Sequence, residues 1–179
     1  VGPGGANASL RELADAGGVA LPTVRHYFGD RNGLITAAID ELGRGGDYWL
    51  AVARTTNVEL PLGPSCRWLL GSFVQGWVLG LGPMVSQTLA AGLQGPALGP
   101  PVVERILEPL LQATEARLAV HAARGELSGD LRHAALALVC PALLALLHQH
   151  DLHGASCRPL DVDAFLDDHV ARFVRGWGP

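Results

Sequence analysis

The sequence predicts an all-α protein, on three observations. Apolar residues recur at three- and four-residue spacing in segment after segment, the period of a helix with one buried face. Strand-type alternation is sparse, while Leu and Ala are abundant and 49% of the 179 residues are hydrophobic, ample for a core. Glycine and proline fall between the periodic segments, where they punctuate helices.

The first helix starts after Ser9. Leu10, Leu13, Ala14 and Gly17 share one face, and Glu12 stands three residues after Ser9, the spacing of a capping box. Gly17-Gly18 stops it, because glycine takes positive φ at little cost. Val19 points inward from the turn. Pro22 suits the first turn of a second helix, in which Val24 and Phe28 are i, i+4 partners on the core side. Thr23, Arg25, His26 and Tyr27 are left on or near the outer side, with groups that suit phosphates and base edges. Gly29-Asp30 ends this helix, and Asp30 is placed to cap the next. Arg31 falls in that helix's first turn, where the dipole disfavours a cation and a phosphate partner would favour one. Two short helices, a tight turn and a basic, aromatic tip have the layout of a helix-turn-helix reader.

The residues Leu13-Ala14, Gly18-Val19, Thr23-Val24, His26-Tyr27-Phe28, and Arg31 with Leu34 resemble the DNA-binding domain of the TetR family of bacterial transcriptional regulators. The resemblance runs from about Ala8 to Leu42 and is a matter of helix order beyond it. It implies DNA contacts by Ser9, Thr23, Arg25, His26, Tyr27 and Arg31. Family members begin with a helix packed behind the reader. Here Val1–Asn7 resembles only the loop after that helix, so the first helix is expected upstream of Val1. Ala20 stands where the family has a capping serine or threonine, and Arg25 where it often has tyrosine.

The expected organisation is a head at residues 1–46 and a helical effector-binding and dimerisation body at 47–179. Leu34, Ile35, Ala38, Ile39 and Leu42 continue the head into a linking helix that Gly43 to Gly46 would break or bend. From Trp68 to Val103 there is no charged residue. Gly71, Gly76, Gly80, Pro83 and Gly95-Pro96 interrupt the run, and no Arg cluster flanks it to set a topology, so two buried helices, about 64–80 and 83–94, are expected instead of a membrane span. A Gly/Pro loop follows at 95–101. Trp68, Phe73, Trp77 and Met84 offer apolar wall and Gln75 and Gln87 polar handles, so these six are the candidate effector pocket that the resemblance implies.

Val103 to Gly125 reads as a further helix, which Pro109 bends or delays. Asp130 caps an apolar helix to about His150. Ala134 to Leu147 is apolar all round and needs covering on both sides. The last helix carries Val162, Phe165, Leu166, Val170, Phe173, Val174 and Trp177 as a sustained stripe, with acids early and arginines late as the dipole favours. Two such helices from each of two copies would form a four-helix interface, with Leu138, Leu146, Phe165, Val170, Phe173 and Trp177 at the contact.

Charge and chemistry narrow the function. Every one of the 13 basic residues is Arg, and the net charge is −4. Residues 1–46 set Arg11, Arg25, Arg31 and Arg44 against Glu12, Asp15, Asp30, Asp40 and Glu41, so a DNA-binding patch must be local and doubled by a dimer. Cys66, Cys140 and Cys157 are distant from one another and odd in number, which fits a reducing cytoplasm. His148, His150, Asp151 and His153 lack firm ligand spacing, and no metal or cofactor is expected. No nucleophile elbow, phosphate loop or paired catalytic carboxylate stands out, so catalysis is not expected. The expected activity is a ligand-responsive regulator of double-stranded operator DNA, a repressor released by a small molecule. The alternative is a helical small-molecule binding protein whose head does not bind DNA.

Overall fold

The computed structural model describes residues 8–179, and the Val1–Asn7 loop of the sequence reading lies outside them. The described residues are all-α, with no strand among them. In chain order the helices are α1 (Leu10–Ala16), α2 (Leu21–Phe28), α3 (Arg31–Thr55), α4 (Leu62–Gly76), α5 (Gly82–Leu93), α6 (Gly99–Val102), α7 (Glu108–Ala123), α8 (Leu131–Leu146) and α9 (Val162–Trp177). The chain packs as two compact units, Val1–Gly46 with Met84–Glu108, and Asp47–Pro83 with Pro109–Pro179. A division at residue 46 was expected from sequence; the allocation of Met84–Glu108 to the first unit was not.

Three π-helical turns interrupt the helices: Trp77–Leu81, Val103–Leu107 and Leu147–Asp151. Two of them run up to a proline. Pro109 has no N–H and its ring crowds the carbonyl four residues back. The chain widens before it, and the Glu108 N–H reaches the Val103 carbonyl. Pro83 follows the first π turn, where Gly80 sits at φ 114°, outside the helical region. The Pro109 irregularity is the one expected from sequence. The helices expected at about 64–80 and 83–94 run 62–76 and 82–93, with the π turn between them. The expected loop at 95–101 contains the start of the short α6.

The glycines from Gly43 to Gly46 do not break the linking helix: α3 is continuous over 25 residues. Each glycine costs about 1 kcal/mol of helix propensity. At Gly43 close packing explains the residue. A Cβ there would stand 3.1 Å from the Arg105 carbonyl oxygen, while the Arg105 Nε donates to Asp40 Oδ1 at 2.8 Å. Gly43 therefore lets the first unit's segments approach closely.

The second unit holds the main core. Cys66, Leu69 and Leu70 of α4, Leu118 of α7, Ala134 and Leu138 of α8 and Leu166 of α9 are sealed from solvent. Burial pushes the Cys66 thiol up to about 12. α9 packs against both α4 and α8. Its N-cap is Asp161, whose carboxylate accepts from the Ala164 N–H at 3.0 Å, and Asp130 caps α8 through the His133 N–H at 2.8 Å.

A polar group is buried inside this core. Arg117 is fully enclosed, and its guanidinium donates to the Ala53 carbonyl, to Ser65 Oγ and to the Thr56 carbonyl. It lies 5.1 Å from the centre of the Trp68 ring. His121, also fully buried, meets Ser65 Oγ at 2.9 Å through Nε2 and Glu126 Oε2 at 2.8 Å through Nδ1. His121 and Arg124 hold the Glu126 carboxyl below the usual range. Among the described residues no buried side-chain nitrogen or oxygen lacks a partner, the condition under which a buried polar network stabilises.

By length and composition alone, Leu62–Leu93 and Leu131–Asp151 are apolar enough to cross a bilayer. Leu69, Leu70, Leu138 and Leu146 are packed inside the second unit, and the two apolar windows are 28% and 39% buried.

Candidate nucleic-acid interface

The α1–α2 pair is built by short-range chemistry. Ser9 Oγ accepts the Glu12 N–H at 3.3 Å, and the Ser9 N–H returns to Glu12 Oε2 at 2.7 Å. These bonds complete the capping box and hold the Glu12 carboxyl below its ordinary range, the Ser9 backbone N–H contributing most. Gly18 adopts φ 65°, which lets the Val19 N–H reach the Ala14 carbonyl at 3.0 Å. α2 starts after Ala20, which has no side chain to cap it, and carries Pro22 in its first turn. Gly29 at φ 73° turns the chain out of α2. Asp30 Oδ1 then accepts the Gly33 N–H at 2.8 Å at the start of α3. Any Cβ at position 33 would collide with the Phe28 carbonyl oxygen, so the α2–α3 corner requires glycine there.

α2 is held by little and shows much. Val24 is its buried residue, at 6% exposure. Thr23, Arg25, His26 and Tyr27 are all exposed, Tyr27 at 74%. The His26 and Tyr27 rings meet edge to face with centroids 5.1 Å apart. Among the described residues Arg25 makes no hydrogen bond or ion pair. It lies in the last turn of α2, where the helix dipole favours a cation. The sequence reading passed over Arg11 of α1, which is exposed and equally without an acidic partner among the described residues. By contrast, Arg44 pairs with Glu41 and Arg105 with Asp40. Unpaired cations in the first unit therefore lie on the two short helices, a distribution that net charge conceals.

The Arg31 Nε donates to the Ala8 carbonyl at 2.7 Å, and the residue is half-buried. This bond ties the chain before α1 to the first turn of α3, so Arg31 has a structural role beside the phosphate contact expected of it.

The six expected pocket residues are divided between the two units. Met84 and Gln87 belong to the first unit, the other four to the second. Trp68 packs beneath Arg117, and Phe73 lies against the core. Gln75 faces solvent, and Trp77 is buried with its indole N–H on Asp151 Oδ2 at 2.8 Å. Trp68 and Trp77 are nine positions apart, about half a turn out of phase on a helix, and so face opposite ways. Met84 and Gln87 line a different groove of about 270 Å³ inside the first unit, with Leu13, Leu34, Ala38 and Leu42.

The residues expected at a dimer contact are covered in part by the chain itself. Leu138, Leu146, Val170 and Phe173 are at most 5% exposed within the single chain. Phe165 stacks on His169 at 5.8 Å, and Trp177 stacks on Phe173 at 6.1 Å. The Trp177 carbonyl also accepts the Ser128 N–H at 2.8 Å, which docks the end of α9 on the α7–α8 loop. Leu166, Val170 and Phe173 of the α9 stripe are buried where the helix packs on α4 and α8 of its own chain, while Val162, Phe165, Val174 and Trp177 are half-buried. What these two helices leave outward includes Cys140 and Leu144 of α8 and Ala164 and Ala171 of α9. Among the described residues no cluster of His, Cys, Asp and Glu is placed to hold a metal ion.

The chain matches no family model, no curated protein and no solved structure. Functional inference therefore rests on the residues and their geometry.

Proposed function

We propose that the protein is a ligand-responsive, DNA-binding transcriptional regulator, a repressor that acts as a cytoplasmic homodimer and leaves its operator when a small molecule binds. The observation that carries this reading is α2. A short helix anchored by Val24 exposes Thr23, Arg25, His26 and Tyr27 together, at the end of a tight turn from a capped α1. A hydroxyl, a guanidinium, an imidazole and a phenol on one short helix suit the edges and phosphates of a major groove. In this reading Arg11 and Ser9 of α1 supply backbone contacts. The dimer uses outward residues such as Leu144, Cys140 and Ala171, and no cofactor takes part.

The test is a gel-shift titration over salt with the full-length protein and the DNA upstream of its own gene. A specific complex whose affinity falls with rising salt supports the reading, since each phosphate contact releases counterions. No specific complex at low salt overturns it. A second reading, a helical small-molecule binding protein whose head does not bind DNA, is favoured by the inward engagement of Arg31 and the net charge of −4. Under it, ligand binding persists and the DNA complex is absent.

A further inference from the structure

We propose that the groove between α3 and α5 in the first unit binds a compact, uncharged, mainly apolar molecule with one hydrogen-bonding group. The site itself stands on geometry; only its role as effector site rests on the regulator reading.

α3 contributes Leu34, Ala38 and Leu42, and α5 contributes Met84, Gln87 and Ala91. Each set recurs at three or four positions, so two apolar helix faces oppose one another. Helices in ordinary contact interdigitate and leave few voids larger than a water. Here the faces leave about 270 Å³. That lies just below the usual range for drug-sized ligands and suits a body of about ten non-hydrogen atoms.

The lining sets the ligand's chemistry. No charged residue borders the groove, so an ion entering it would lose hydration without gaining a partner. Water is poorly held against such walls, and an apolar body displaces it favourably. Two polar side chains reach the groove, and one is already committed: Thr88 Oγ1 donates to the Met84 carbonyl at 2.7 Å. The Gln87 amide makes no hydrogen bond among the described residues. It offers a donor and an acceptor for a single hydroxyl or carbonyl.

The groove also touches the α1–α2 pair. Leu13 of α1 and Leu34 of α3 line it, and both also wall a neighbouring apolar groove of about 210 Å³ with Thr23, Val24 and Tyr27 of α2. A molecule wedged beside Leu13 and Leu34 presses on the side chains against which α2 rests, so occupancy and the position of α2 are linked.

Met84 is the sole methionine of the sequence, and ¹³C-methyl labelling of methionine gives its resonance on the groove wall, identified by its loss in Met84→Leu. The probe is 4-isopropylphenol, titrated into the full chain, with 4-isopropylbenzoate as its charged counterpart. The expected result is a saturable shift with the phenol, with a dissociation constant on the order of 0.1 mM, and no saturable shift with the carboxylate. Ala38→Phe, at an exposed position, fills the groove and abolishes the shift. Gln87→Leu, also at an exposed position, weakens phenol binding about five- to tenfold. Absence of a saturable shift, an equal response to the carboxylate, or a response that survives Ala38→Phe overturns the site. Operator binding is read separately by gel shift. A Met84 response without operator release keeps the site and removes its effector role, and operator binding without a Met84 response overturns the site while leaving the DNA reading intact.

Discussion

The two units differ in what they bury. The second encloses Ser65, Thr114, Arg117, His121 and Gln149 among its apolar side chains. The first fully buries only small or aliphatic groups among its described residues, such as Ala14, Val24, Ile39 and Val102, and leaves its polar side chains exposed or half-buried. A buried, fully paired polar network tolerates no displacement, because any broken bond leaves a desolvated group unpaired. A lightly packed helix with an exposed polar face loses little when it moves. The second unit is built to hold one arrangement, and the first leaves the polar face of α2 open to solvent.

Substitutions should reproduce that contrast. Arg117→Ala is expected to be the most damaging. It deprives the Ala53 and Thr56 carbonyls and Ser65 Oγ of their donor in a dry interior, at a cost of about 4 kcal/mol by urea denaturation. A loss below about 1 kcal/mol would mean that water reaches the network. Leu138→Ala opens a cavity in the same core and should cost about 3 kcal/mol, whether or not the chain is dimeric at the concentration used. A cost that vanishes on dilution would return Leu138 to the interface.

Alkaline pH probes the core through Cys66. Its thiol is raised by burial, so the folded state keeps a proton that the unfolded chain releases. Stability from this group is full below the ordinary thiol range and declines as pH rises from about 9 toward 12. A thiol reagent at pH 8 should label Cys157, which is exposed, and spare Cys66 until the protein unfolds. Labelling of Cys66 in the native state would contradict the burial.

In the first unit effects should be smaller. Ser9→Ala removes the capping box and should cost about 1 kcal/mol. Tyr27→Ala should change stability by less than about 0.5 kcal/mol while weakening any DNA complex. A large stability loss at Tyr27 would make α2 a packed element and break the comparison.

Local chemistry was readable in the sequence, and long-range partners were not. The Ser9–Glu12 box, the Gly17-Gly18 turn, the Asp30 and Asp130 caps and the irregularity before Pro109 depend on neighbours within five positions. The bond from Arg31 to the Ala8 carbonyl was not legible, because the two lie 23 positions apart. Arg117 and His121 drew no attention in sequence. Their partners Ser65, Ala53 and Thr56 lie in other segments, and an Arg four residues before a His reads as a solvated face. The stripe of α9 was legible as a stripe, and Leu166, Val170 and Phe173 of it are buried within the chain itself. Periodicity shows that a face is covered and does not say by what. A lack of charge marks burial but not convergence, which depends on helix phase, and Trp68 and Trp77, nine positions apart, face opposite ways.

The central claim is that the exposed face of α2 reads DNA. Its most direct test is fluorescence anisotropy of the full-length protein on the DNA upstream of its own gene, wild type against Arg25→Ala, over a range of salt. A DNA contact predicts a specific wild-type complex, weakened by about 1–3 kcal/mol in Arg25→Ala, with helix content and sedimentation mass unchanged. A shallower salt dependence in the variant assigns Arg25 to a phosphate. Equal binding by both proteins, or no specific complex by either, would contradict the claim.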